Sequence, residues 1–152
     1  MDAPGPYRLH SSLLYQLTLT SRLQERRLDE GLRALGLTRI SWCALLAVGN
    51  EALTQPSAIA EFIGIDRTAM SRTLRQMEAQ GLIERRAGAG RDRRQTEVAL
   101  TETGQERLLR ATPVAEENAR HFLSKLPEGG AEQLRSLMAC LREGEPRNLL
   151  NF

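Results

Sequence analysis

The chain has 152 residues, 41% of them hydrophobic and 26% charged, and a net charge of +2. Those values suit one domain with a core, or one domain with a dimerisation extension, and exclude wholesale disorder. The longest apolar run, Trp42 to Gly49, is far short of the roughly 20 residues that span a bilayer. No basic-then-apolar leader opens the chain, and two cysteines, at 43 and 140, make neither a disulfide framework nor a zinc site, so the cytoplasm is the expected compartment.

In chain order, residues 7–35 read as one long helix. Leu9, Leu13 and Leu17 step by four, and Leu28, Leu32 and Leu35 continue the period, with Gly36 as a left-handed stop. Leu14, Leu19 and Leu23 fall off that stripe, so this helix is apolar on several sides, as one central in a domain or one shared with a second subunit would be. Thr38 is the expected N-cap of a second helix, with Trp42, Leu45, Leu46 and Gly49 on one face. After a break at 50–55, Pro56 opens a short third helix carrying Ile59, Ala60 and Ile63. Gly64 ends it, and Asp66 caps a fourth that buries Met70, Leu74 and Met77. Residues 82–87 and 95–100 read as two strands around Gly88-Ala89-Gly90, a hairpin with a basic tip. Thr101 caps a helix to about Ser124, which Pro113 should kink or divide. A last helix, about 131–142, has Leu134, Leu137, Met138 and Leu141 on one stripe, and the tail from Gly144 reads as irregular.

The charge is unevenly spread. Residues 66–97 hold eight arginines against five acids, while the flanking segments are nearly neutral. Twenty of the 21 basic residues are Arg, so a basic stretch alone is as well explained by a solvated surface. Its placement is more telling. Residues 56–81 meet the steric needs of a helix-turn-helix: small Ala60 at the crossing, then Gly64 four positions on, where positive φ is required. With Met70, Leu74 and Met77 turned inward, the fourth helix shows Arg67, Thr68, Ser71, Arg72 and Arg75 on its other face. Hydroxyls bond phosphates and base edges, and Arg grips guanine O6 and N7 with two parallel bonds. Directly afterwards, Arg85, Arg86, Arg91, Arg93 and Arg94 surround Asp92 in the hairpin, where a basic projection reaches the minor groove or flanking phosphates. Asp92 among arginines suits an internal partner that orients one guanidinium. The combination points to nucleic-acid binding.

The segment Asp92-Arg93-Arg94-Gln95-Thr96-Glu97-Val98-Ala99-Leu100-Thr101 resembles the D-x-R-x-x-x-V-x-L-T wing signature of the MarR family of winged-helix regulators. Ser71-Arg72 before Leu74, the run Glu78 to Leu82, and Gly104 after Leu-Thr are similar to the same family. The resemblance implies a mainly α fold with a small β-hairpin wing: a winged helix-turn-helix over 37–101, an N-terminal dimerisation helix in 1–36, and C-terminal dimerisation helices and tail in 102–152. It implies a homodimer on a near-palindromic double-stranded DNA operator, commonly as a repressor. It puts the helix of Thr68, Ser71 and Arg72 in the major groove and Arg94, oriented by Asp92, in the minor groove. Arg91 and Arg93 join them from charge and position. A dimer is what lets two half-sites about one DNA turn, roughly 10 bp, be read together.

The resemblance further implies release by a small lipophilic or phenolic effector, and His10, Tyr15 and Trp42 are the candidate contacts. Against that, Trp42 has a ready reading as core and His10 as a solvated helix-start residue. Cysteine-based redox sensing is the second mechanism the family uses, yet no cysteine precedes Cys43, and Cys43 and Cys140 both read better as small buried hydrophobes. Only two histidines are present and no Cys or His pair has ligand spacing, so no metal or cofactor is expected. No phosphate-binding glycine loop or nucleophile elbow points to an enzyme. The competing reading from another class is a winged-helix protein-assembly module whose basic face takes an acidic protein.

Overall fold

The structure is a computed structural model that describes residues 6–87 and 96–145. A 3-10 turn at Leu9–Ser11 precedes α1 (Leu13–Arg33), α2 (Arg39–Gly49), α3 (Pro56–Ile63), α4 (Arg67–Ala79), β1 (Ile83–Ala87), β2 (Thr96–Leu100), α5 (Glu102–Leu123) and α6 (Gly130–Leu141). The expected helix over 7–35 therefore starts later than the leucine period suggests. Ser12 sits at φ −73°, ψ 123°, outside the helical region, and the Gln16 side-chain amide donates to the His10 carbonyl at 2.6 Å. Serine supports such breaks because it gains little from a helix interior.

One core joins the helices. Leu28 and Leu32 of α1, Ala44, Leu45 and Ala47 of α2, Ile59 and Ala60 of α3, and Met70, Leu74 and Met77 of α4 are buried together with Ile83, Val98, Leu108 and Ala111. Burial of each large side chain contributes about 1.5–3 kcal/mol. The inward face of α2 is rotated from the expected one. Ala44, Leu45 and Ala47 are buried, whereas Trp42 and Leu46 are half-buried against the core and Gly49 is exposed. At its start, Thr38 and Ser41 form a reciprocal capping box.

Strands β1 and β2 pair antiparallel from Ile83↔Leu100 to Ala87↔Thr96. The Val98 N–H, which faces away from β1, donates to the Thr54 carbonyl at 2.8 Å and ties the hairpin to the α2–α3 connection. Pro113 does not divide α5, which runs unbroken through it for 22 residues. The missing N–H costs one hydrogen bond, while Leu108 and Ala111 remain buried on one side of it and Asn118, also buried, donates to the Gln24 carbonyl of α1 at 3.3 Å.

The apolar stripe of α6 faces outward: Leu134, Leu137 and Leu141 are exposed, as are Leu9, Leu13, Leu14 and Leu23 at the other end of the chain and Leu109 and Leu123 on α5. Cys140 is exposed as well, which corrects its reading as a small buried hydrophobe. It stands on a helix that buries none of its residues within the protomer. No described helix is long and apolar enough to cross a membrane.

Candidate nucleic-acid interface

The turn between α3 and α4 is built by two residues. Gly64 takes φ +81°, ψ +34° and donates to the Ala60 carbonyl at 2.9 Å, a left-handed conformation that strongly favours glycine. Asp66 then accepts from the Ala69 N–H at 2.8 Å and caps α4. Asp66→Ala removes that cap, and we expect a loss of about 1 kcal/mol in urea unfolding. A change below a few tenths would show the cap to be redundant.

With Met70, Leu74 and Met77 buried, Arg67, Thr68, Arg72 and Arg75 are exposed along the opposite face of α4, and Ser71 is half-buried. Arg75 Nη2 donates to Ser71 Oγ at 3.3 Å, which leaves the serine O–H available as a donor. Among the described residues, none of Arg67, Arg72 and Arg75 is in an ion pair. This face is a cationic strip with two hydroxyls, held by a buried ridge on the other side. It is chemically suited to phosphate oxygens and guanine edges.

The hairpin's arginines divide. Arg85 donates through Nε to Glu78 Oε2 at 2.8 Å and also through Nη2, and Arg86 pairs with Glu84. Both sit in internal pairs rather than standing free for phosphate. Arg91, Asp92, Arg93 and Arg94 lie outside the described residues.

The Glu78–Arg85 pair joins the end of α4 to β1, a link that periodicity does not reveal because the residues belong to different elements. The hydrogen bonds from Arg85, and then its charge, hold the Glu78 carboxyl below its ordinary value of 4.5. A depressed carboxylate contributes stability that is present above the unfolded value and lost as pH falls through the folded one. Glu78→Gln should therefore lower neutral-pH stability slightly, since the pair is solvent-screened, and converge with wild type below about pH 4.5, so that its acid-side decline is the flatter of the two. An unaltered acid limb would remove Glu78 from that titration.

Behind the hairpin, Thr101 joins three elements. Its N–H donates to the Leu82 carbonyl at 3.2 Å, its hydroxyl donates to the Gly81 carbonyl, and its Oγ1 accepts from the Gly104 N–H at 3.0 Å. The exit of α4, the base of the wing and the start of α5 are thus held at one point.

The candidate effector residues are only partly assembled. His10 and Tyr15 meet edge to face with ring centroids 5.3 Å apart. Trp42 packs against the core from α2, and its indole N–H is buried without an acceptor among the described residues. Burial pushes the Cys43 thiol above its ordinary value, opposed by the nearby charge of Arg39, so the reactive thiolate is disfavoured. No group of three or more metal-ligating side chains occurs among the described residues.

Comparison with known proteins places this architecture. A probable transcriptional regulator from Pseudomonas aeruginosa is 25% identical, with a TM-score of 0.79 over 88% of this chain and 99% of that one. The M. tuberculosis transcriptional regulator MOSR, solved in complex with DNA, is 28% identical, with a TM-score of 0.70 over 86% of this chain and 92% of its own. BpsR of Bordetella bronchiseptica, whose DNA binding is regulated by 6-hydroxynicotinic acid, has a TM-score of 0.83 at 17% identity over 93% of this chain and all of its own. Residues 35–95, from the end of the first helix to the wing, match the model of the MarR family. Over that segment, and in the winged helix-turn-helix built around it, the chain is similar to the MarR family.

Proposed function

We propose that this protein is a homodimeric, sequence-specific DNA-binding transcription regulator, a repressor released by a small ligand. The observation that carries the DNA-binding part is the outward face of α4: Arg67, Thr68, Arg72 and Arg75 exposed, with its arginines outside the described ion pairs, on a helix fixed by the Gly64 turn and the Asp66 cap. DNA seen with the MOSR relative supports it. In this reading α4 lies in the major groove, with Arg67, Thr68, Ser71, Arg72 and Arg75 as its contacts. The wing, with Arg91, Arg93 and Arg94 and with Asp92 orienting Arg94, reaches the minor groove or adjacent phosphates. The leucines left exposed on α1, α5 and α6 supply the surface for a second copy.

The effector reading is favoured by the Trp42 N–H, since buried donors ordinarily find a partner and this one lacks an acceptor among the described residues. A small molecule with an acceptor would complete it, and His10 and Tyr15 remain the other proposed contacts. Regulation of BpsR by 6-hydroxynicotinic acid supports the same class of mechanism.

The test is selection of duplexes from a random pool by the purified protein, followed by titration of the selected and a scrambled duplex at two salt concentrations. Tight binding to the selected duplex with a steep salt slope is the expected result. Equal, weak binding to both would favour an acidic protein as the partner of the basic face.

A further inference from the structure

Five of the eight ion pairs in the described residues are local, between side chains two to four positions apart. Only two sets link separate elements: Glu78 with Arg85, described above, and a cluster at the start of α2. There Arg39 donates through Nε to Asp29 at 2.9 Å, and its Nη1 lies 2.9 Å from Glu25 Oε1. Glu25 and Asp29 stand one turn apart on α1, where like charges repel unless a cation lies between them. Arg39 is itself the first residue of α2, an end at which the helix dipole opposes a positive charge and where α2 carries no acid of its own. Each side of the cluster is locally unfavourable alone, and each is relieved by the other.

The cluster adds a directional restraint to the core beneath it, in which α5 packs on both α1 and α2. Leu28 and Leu32 of the same stretch of α1 pack on the shared core, and apolar packing tolerates small rotations more readily than a guanidinium fork held by two carboxylates. Helices α3 and α4 both pack on α2. Any change in the angle of α2 to α1 is thereby passed to the exposed face of α4, while the far half of α1 carries the exposed Leu13, Leu14 and Leu23.

We propose that Arg39, clamped by Glu25 and Asp29, is a positioning residue that sets the separation of the two α4 helices in the dimer, and so the half-site spacing the protein accepts. This rests on the dimeric DNA-binding reading above. The clamp's side chains are between 35% and 39% exposed, so its loss should change geometry more than stability.

The experiment takes the duplex that the wild-type protein selects and makes versions with the central spacer one base pair longer and one shorter. Wild-type protein should discriminate against both. Arg39→Gln should lose about fivefold or more of that discrimination, with dimer mass and melting temperature unchanged. Arg39→Lys, which keeps the charge but not the fork, should fall between. Glu25→Gln combined with Asp29→Asn should reproduce Arg39→Gln, and this guards against a folding defect peculiar to one variant. Spacing discrimination within twofold of wild type in both the Arg39→Gln and the paired carboxylate variants overturns the inference while leaving DNA binding intact. A parallel fall in affinity for all spacers together with loss of the dimer overturns it too, because the cluster would then be structural. Wild-type protein that selects no duplex removes the DNA-binding reading itself, and the inference with it.

Discussion

Gly104→Ala should lose about 3 kcal/mol of stability and lower the melting temperature by about 6–12 °C. The added Cβ would overlap the Leu82 carbonyl oxygen and lie 2.9 Å from its carbonyl carbon. These are backbone atoms, so no rotamer change gives relief. Leu82 is itself held, by the N–H of Thr101 on its carbonyl and by its own N–H on the Met77 carbonyl at 2.9 Å. In a solvent-exposed helix the same substitution would be favourable by roughly 1 kcal/mol on propensity, so the sign of the result is diagnostic. Gln105→Ala, one residue on and exposed, should stay within about 0.5 kcal/mol. A melting curve for Gly104→Ala that coincides with wild type would mean that α5 can move away from the wing at little cost. The joint of α4, wing and α5 at Thr101 would then be loose.

The second large effect is on recognition. Arg72→Ala should weaken binding to the selected duplex by about 1–3 kcal/mol, roughly fivefold to 150-fold, and change binding to a scrambled duplex much less. The side chain is exposed on the outward face of α4, outside the described ion pairs, so truncation leaves no buried group unpaired and the melting temperature should hold. Arg94→Ala at the wing should cost a similar amount with the dimer intact, and reduce the salt slope by about one if Arg94 meets a phosphate. Fluorescence anisotropy of the three proteins on both duplexes separates the roles. If Arg72→Ala weakens both duplexes equally, Arg72 is a phosphate contact and base reading belongs elsewhere on α4. If Arg94→Ala changes neither, the wing does not touch DNA.

Much of this architecture was legible from local chemistry. Gly64 before Asp66, with Ala60 four positions earlier, specifies a tight helix-turn-helix because only a residue free of the Cβ penalty adopts φ +81° there without strain. The i, i+4, i+7 ridge of Met70, Leu74 and Met77 likewise orients α4, and Thr38, Asp66 and Thr101 all cap as their residue types predict. Periodicity misled where it met a local competitor. The leucine ladder ran on through Ser12, whose backbone leaves the helix, and of the kink or division expected at Pro113 the division does not occur.

What the sequence by itself determined, then, is the order of the elements, their caps, the turn and the polar face of α4, because each depends on residues within a few positions of one another. Tertiary structure decided which charges remain available and which are taken up internally. Arg85 and Arg86 looked like the rest of the basic hairpin, yet each is held by a glutamate, one of them at the far end of α4. Arg39 drew no notice as one arginine among twenty until α1 brought Glu25 and Asp29 to it. An ion pair between elements depends on the path of the chain in space, and no spacing along the sequence encodes it.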